Sequence, residues 1–119
     1  MKIKNYKDLN IWKRSIKVVE DIYKITKNFP KEEIYGLSSQ LRRSAVSIPS
    51  NIAEGAGRNS KKQYIQFLNI ALGSIAEIET QLIIAKRLNF YTNDEQLEKL
   101  SVIRSKTINL MKYLKSLEK

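Results

Sequence analysis

The sequence contains no cysteine and no histidine. Without thiols there can be no disulfide, no thiol redox chemistry and no thiolate metal site. Without imidazole there is no Ser-His-Asp triad, no histidine acid or base, and none of the usual zinc or non-haem iron ligand sets. Glycine occurs four times and proline twice in 119 residues, too few for a disordered, collagenous or turn-rich β-sandwich chain. No unbroken run approaches the roughly 18 apolar residues of a membrane-spanning helix. Met1-Lys2-Ile3-Lys4-Asn5-Tyr6 opens on basic residues but lacks the apolar stretch of a signal peptide. The expectation is a cytoplasmic protein with no membrane partner and no cofactor.

What is present is charge and helical periodicity. A mass of 13.8 kDa suits one domain, for which size scaling predicts about 6,600 Å² of folded surface and a modest core. The 22 basic residues outweigh 12 acidic ones, giving +10.

Four helices are predicted, over about 8–27, 31–56, 60–88 and 94–116. Asp8 can cap the first, whose stripe is Leu9, Trp12, Ile16, Val19 and Tyr23. Phe29-Pro30 ends it. The second starts near Lys31 or Glu32 and carries Ile34, Leu37, Leu41, Ala45, Ile48, Ile52 and Ala56. Its period runs straight through Pro49, which favours a kinked but continuous helix. Ser60 caps the third, with Gln63 three residues on as in a capping box. Its main stripe is Tyr64, Leu68, Ala71, Ile75, Ile78, Leu82 and Ala85. Asp94 or Asn93 caps a fourth with Leu97, Leu100, Ile103, Thr107, Leu110, Leu114 and Leu117. Short loops between long helices imply antiparallel neighbours. The fold class is all-α, an up-down-up-down antiparallel four-helix bundle.

The third helix has more apolar surface than one core needs: Ile65, Phe67, Ile70, Leu72, Ile83 and Ile84 extend it beyond one face. Either the long helix is generously buried, or part of it meets another copy in a closed homo-oligomer.

Polar residues recur with helical spacing at Ser47, Asn51 and Glu54, and again at Ser74, Glu77 and Gln81. The plain reading is a structural network around the proline and the helix end. Glu77 could also anchor a contact between subunits. No nucleophile–base pair is available, so no catalytic residue and no metal site are assigned, and the expectation is a protein that is not an enzyme. Gly55-Ala56-Gly57-Arg58-Asn59-Ser60-Lys61-Lys62 lacks the Gly-Lys-Ser/Thr step of a phosphate loop. Arg58, Lys61 and Lys62 still make an anion-attracting corner at a helix N-terminus.

Residues 1–31 hold nine basic and three acidic groups, and 99–119 six and one. Neighbouring first and fourth helices would merge Lys13, Arg14 and Lys17 with Arg104 and Lys106 into one positive field, to which Arg42 and Arg43 add a pair. This suits RNA or DNA bound through phosphates. Aromatics do not interleave with the basic residues as a single-strand stacking surface would require, and Trp12 and Tyr23 belong to the core stripe. The alternative is a scaffold whose basic face docks another protein, with no direct nucleic-acid role.

Gln40-Leu41-Arg42-Arg43-Ser44-Ala45-Val46-Ser47-Ile48-Pro49-Ser50-Asn51-Ile52-Ala53-Glu54-Gly55, followed by Phe67-Leu68-Asn69-Ile70-Ala71-Leu72-Gly73-Ser74-Ile75-Ala76-Glu77, resembles the bacterial family labelled S23 ribosomal protein, encoded in intervening sequences of 23S rRNA genes. The resemblance covers nearly the whole chain, and Ser44 stands where the family usually has alanine. It implies a four-helix bundle without enzymatic activity that assembles as a ring, typically a homopentamer. A related branch is the accessory protein of diversity-generating retroelements, which engages nucleic acid and a reverse transcriptase, so a nucleic-acid-processing protein is a further implied partner. Arg42, Arg43, Ser47, Asn51, Glu54 and Arg58 match the family's signature positions.

Overall fold

The computed structural model describes residues 5–117; Met1 to Lys4, read above for a signal peptide, lie outside them. Four helices follow one another: α1 (Asn10–Thr26), α2 (Leu37–Ala56), α3 (Lys61–Arg87) and α4 (Glu95–Ser116), with short 3-10 turns at Tyr6–Asp8 and Lys31–Glu33. No strand occurs among the described residues. Each helix packs on its neighbours in sequence, α2 against α3 most extensively, and α4 closes back onto α1. The result is a rod of 51 × 20 × 19 Å.

The starts and stops have local causes. Asp8 does not cap α1: it belongs to the preceding 3-10 turn, and Leu9 takes the cap position without a side-chain bond. Lys31 and Glu32 likewise open only a 3-10 turn, and α2 begins six residues later. Gly36 breaks the two apart with φ −113° and ψ −113°, while Glu33 Oε1 accepts from the Leu37 amide at 3.1 Å and supplies the cap from outside. α2 then continues through Pro49 as its period requires. Ser60 accepts from the Gln63 amide at 3.2 Å, the expected cap of α3. α3 ends in a Schellman turn, with Asn89 at φ 64° and Phe90 N donating to Ala85 O at 2.9 Å. Phe90 then packs on Phe29, ring centroids 5.5 Å apart. Asp94 takes the cap position of α4, but the bond to the Glu95 amide comes from Asn93, at 3.0 Å.

The core follows the expected stripe on α3, where all seven residues from Tyr64 to Ala85 are buried, and largely on α2 and α4. α1 is rotated by one position. Its buried face is Ile11, Ser15, Val18, Ile22 and Thr26, while Leu9, Trp12 and Val19 flank it and Tyr23 is 41% exposed. Two hydroxyls hide this stripe: Ser15 Oγ donates to Trp12 O at 2.8 Å and Thr26 Oγ1 to Ile22 O at 2.7 Å. Bonding back to their own helix lets both enter the core. Ile34, expected in the α2 stripe, is exposed on the 3-10 connection.

Gly55 sets the spacing of the tightest pair. A Cβ there would lie 2.9 Å from Phe67 Cβ and 3.2 Å from Tyr64 O, so only glycine lets α2 approach α3 this closely. By length and composition α3 is apolar enough to cross a membrane, although no unbroken apolar run in it is that long. Here its main stripe is the centre of the bundle.

Candidate nucleic-acid interface

The antiparallel order brings the start of α1, the end of α2, the start of α3 and the end of α4 to one end of the rod. Lys13 and Arg14 on α1, Arg58 after α2, and Lys61 and Lys62 on the first turn of α3 all lie at this end, exposed. Arg14 Nε donates to Asn10 Oδ1 at 2.7 Å. Arg58 donates to Glu54 Oε2 at 2.6 Å, and its guanidinium lies 4.9 Å from the Phe67 ring centroid. That stack fixes the side chain beside the α2–α3 connection.

The other candidate residues lie elsewhere. Arg42 is 16 residues before Arg58, about 24 Å along a helix at 1.5 Å per residue, so the two cannot touch one compact ligand. Arg42 Nε donates to Thr26 Oγ1 at 2.8 Å, with its guanidinium 4.8 Å from the Tyr23 centroid. Arg43 is exposed nearby and makes no ion pair among the described residues. Arg42 and Arg43, together with Tyr23, Ile34, Tyr35 and Val46, line a groove of about 450 Å³. Aromatic and basic side chains therefore do interleave here, contrary to the sequence expectation, because Tyr23 points out of the core rather than into it.

The merged field along α1 and α4 does not form as expected. Lys17 lies 3.4 Å from Asp21 Oδ1 and 4.0 Å from Glu20. Asp21 Oδ2 also accepts from Lys99 at 2.8 Å and from Gln96 Nε2 at 2.9 Å. Partial burial pushes the Asp21 carboxyl up, but bonds from Lys99 and Gln96 and the Lys99 and Lys17 charges outweigh it and hold the carboxyl below its usual value. Arg104 faces the opposite seam and pairs with Glu79 on α3. Lys106 is exposed on α4.

The polar network is real but smaller than expected. Ser47 Oγ accepts from Ser74 Oγ at 2.8 Å and from Asn51 Nδ2 at 2.9 Å, and Asn51 Nδ2 also reaches Ser47 O at 2.8 Å. These bonds tie α2 to α3 beside Pro49. Among the described residues Glu54 pairs only with Arg58. Glu77 and Gln81 do not join: with Gln40, Gly73 and Ile84 they line a shallow hollow on the outer side of α3. Gln81 Oε1 is buried without a donor among the described residues, and so is the Tyr64 hydroxyl. Burial pushes the Tyr64 phenol up to about 12. No group of three or more acidic side chains converges among the described residues to hold a metal.

A family model described as the 23S rRNA-intervening sequence protein matches residues 7–116, almost the entire chain. The chain belongs to the 23S rRNA-intervening sequence protein family. Its fold is also similar to the crystal structure of a protein of unknown function from the S23 ribosomal protein family of Bacteroides thetaiotaomicron. That likeness has 28% identity and a TM-score of 0.62, over 90% of this chain and 96% of that one. No curated protein matches. Fold and sequence together thus fix the family, and the surface carries what can be said of its biochemical role.

Proposed function

We propose that this chain is a non-enzymatic basic subunit that assembles with copies of itself, as a ring of five in the pattern its resemblance implies, and binds RNA or DNA through phosphates. The observation that carries the nucleic-acid reading is the clustering of Lys13, Arg14, Arg58, Lys61 and Lys62 at one end of the rod. There the α3 amides add a positive helix end to the side-chain charge. Copies side by side would repeat that end around a ring and multiply the phosphates neutralised. The spread of the cluster over helix ends favours phosphate and shape recognition over sequence readout.

A second reading has its own support. Asp21 and Glu20 interrupt the positive surface between α1 and α4, so this side suits a protein partner with mixed charge better than a polyanion. The two separate in fluorescence-anisotropy titrations with a structured RNA and a matched DNA duplex. Phosphate-directed binding predicts a linear fall of log affinity with log salt between about 50 and about 300 mM. Replacing Arg58, Lys61 and Lys62 together by alanine should reduce the slope by roughly one for each phosphate no longer neutralised. Absence of binding at about 50 mM salt would overturn the nucleic-acid reading and leave the scaffold.

A further inference from the structure

Most of the exposed large hydrophobic side chains gather at two places, with Val102 and Tyr113 standing apart on α4. Tyr23, Ile34, Tyr35 and Val46 line the groove between α1 and α2. Ile70, Ile84 and Leu88 lie with Glu77 on the outer side of α3, while Ile83 is turned about 120° away at about 100° per residue. Tyr35 is 93% exposed and Ile34 56%; Ile70 and Leu88 stand at 51% and 53%. Exposure on that scale, gathered into two patches, marks surfaces that a partner covers.

The patches differ in charge. The groove carries Arg42 and Arg43. The α3 face carries Glu77, and from Gln63 to Ala85 the sequence has no lysine or arginine at all. In a chain with 22 basic residues, a solvated helix face would be expected to share them. Two copies at +10 each repel, and the repulsion at contact is least where one of the meeting faces is free of basic groups. The α3 face meets that condition, and a polyanion has nothing to gain from it. Gly73, on the same face, has open space where a Cβ would be, so another backbone or a large side chain can approach closely there.

The two patches also share a level on the rod. The Ser47–Ser74 bond of 2.8 Å fixes the register of α2 against α3. Arg43 is four residues from Ser47 and Glu77 three from Ser74, toward the same end because the helices are antiparallel. Both therefore stand about 5 to 6 Å beyond that bond at 1.5 Å per residue. In the same way, Ile84 and Leu88 are level with Ile34, Tyr35 and Ser39. A ring whose axis runs along the bundles keeps every residue at its own height, so groups at equal level meet across the seam.

We infer that the occupant of each patch is a second copy of this chain: the outer face of α3, with Glu77, seats in the Tyr23–Tyr35–Arg43 groove of the next subunit, pairing Glu77 with Arg43. This rests on the self-assembly proposed above and specifies its seam. Two different surfaces meet, which is the head-to-tail arrangement a closed ring requires and a two-fold dimer does not. It also assigns Arg42 and Arg43 to assembly and leaves the Arg58–Lys61–Lys62 end free for nucleic acid.

The test is sedimentation velocity on Glu77→Arg, on Arg43→Glu and on the double variant. Glu77 and Arg43 are exposed and have no ion-pair partner among the described residues, so circular dichroism and Tm should stay at the wild-type values. The expected result is an oligomeric wild type, at least tenfold weaker assembly for each single reversal, and recovery in the double variant. Singles that remain as oligomeric as the wild type would overturn the seam while leaving self-assembly intact. Dissociated singles without recovery in the double variant would overturn the Glu77–Arg43 pairing. A monomeric wild type would overturn self-assembly and the seam together.

Discussion

Tyr64 concentrates the chemistry of the core in one side chain. It is 4% exposed, packs under Gly55 and buries a hydroxyl that has no partner among the described residues. An unpaired buried hydroxyl costs about 1 kcal/mol or more, so Tyr64→Phe should raise stability by about 1 kcal/mol in urea titrations at neutral pH. Alkaline pH gives a second readout. The folded phenol ionises at about 12 against 10.0 for the free group. The stability linked to its proton is complete below pH 10 and falls as pH rises toward the folded value, by about 2–3 kcal/mol in full. Tyr64→Phe should flatten that alkaline fall, and an unchanged fall would place its cause elsewhere. Ser15 and Thr26 show why the α1 core lies one position away from the apolar stripe in the sequence. Hydroxyls that bond to their own helix look polar in a sequence and behave as small core residues in the fold. Tyr23, by contrast, looks like core and serves as a surface plate for Arg42.

At the level of elements, α1 and α4 are held together in part by Asp21. Its carboxylate takes bonds from Gln96 and Lys99 across the seam. Its folded pKa is depressed, so its contribution is present above the ordinary carboxylate value and is lost as pH falls through the folded value. Asp21→Asn should cost about 1 kcal/mol at neutral pH after allowing for solvent screening. It should also reduce the acid sensitivity of unfolding between about pH 4 and the acid limit; equal acid sensitivity in both proteins would contradict this. Helix number, order and most core faces were legible from period and punctuation, including passage through Pro49. The start of α2 was not, because Glu33 caps it across a glycine from four residues away, a device with no fixed sequence spacing. The candidate interface was legible only as a set of basic residues. Sequence cannot show that Arg104 turns toward Glu79 rather than α1.

The whole molecule is a thin rod with apolar surface left exposed. It exposes 7402 Å², against about 6,600 Å² expected from its mass. The excess fits a thin rod with two uncovered apolar patches. Only 33% of the most apolar stretch of α3 is buried within the chain, although α3 shares with α2 the most extensive packing in the fold. Both facts follow if α3 completes its burial against another copy, while the basic end of each rod stays outside that seam. Under the proposed function the all-α fold would serve two surfaces at once, a seam along the rod and a phosphate-facing end.

Assembly is the claim on which the rest depends, and sedimentation velocity of the unmodified protein over a wide concentration range measures it most directly. The predicted result is one dominant species at a fixed multiple of the 13.8 kDa chain, near 69 kDa if five copies close the ring as the family resemblance implies. A single species of 13.8 kDa at every concentration would contradict it.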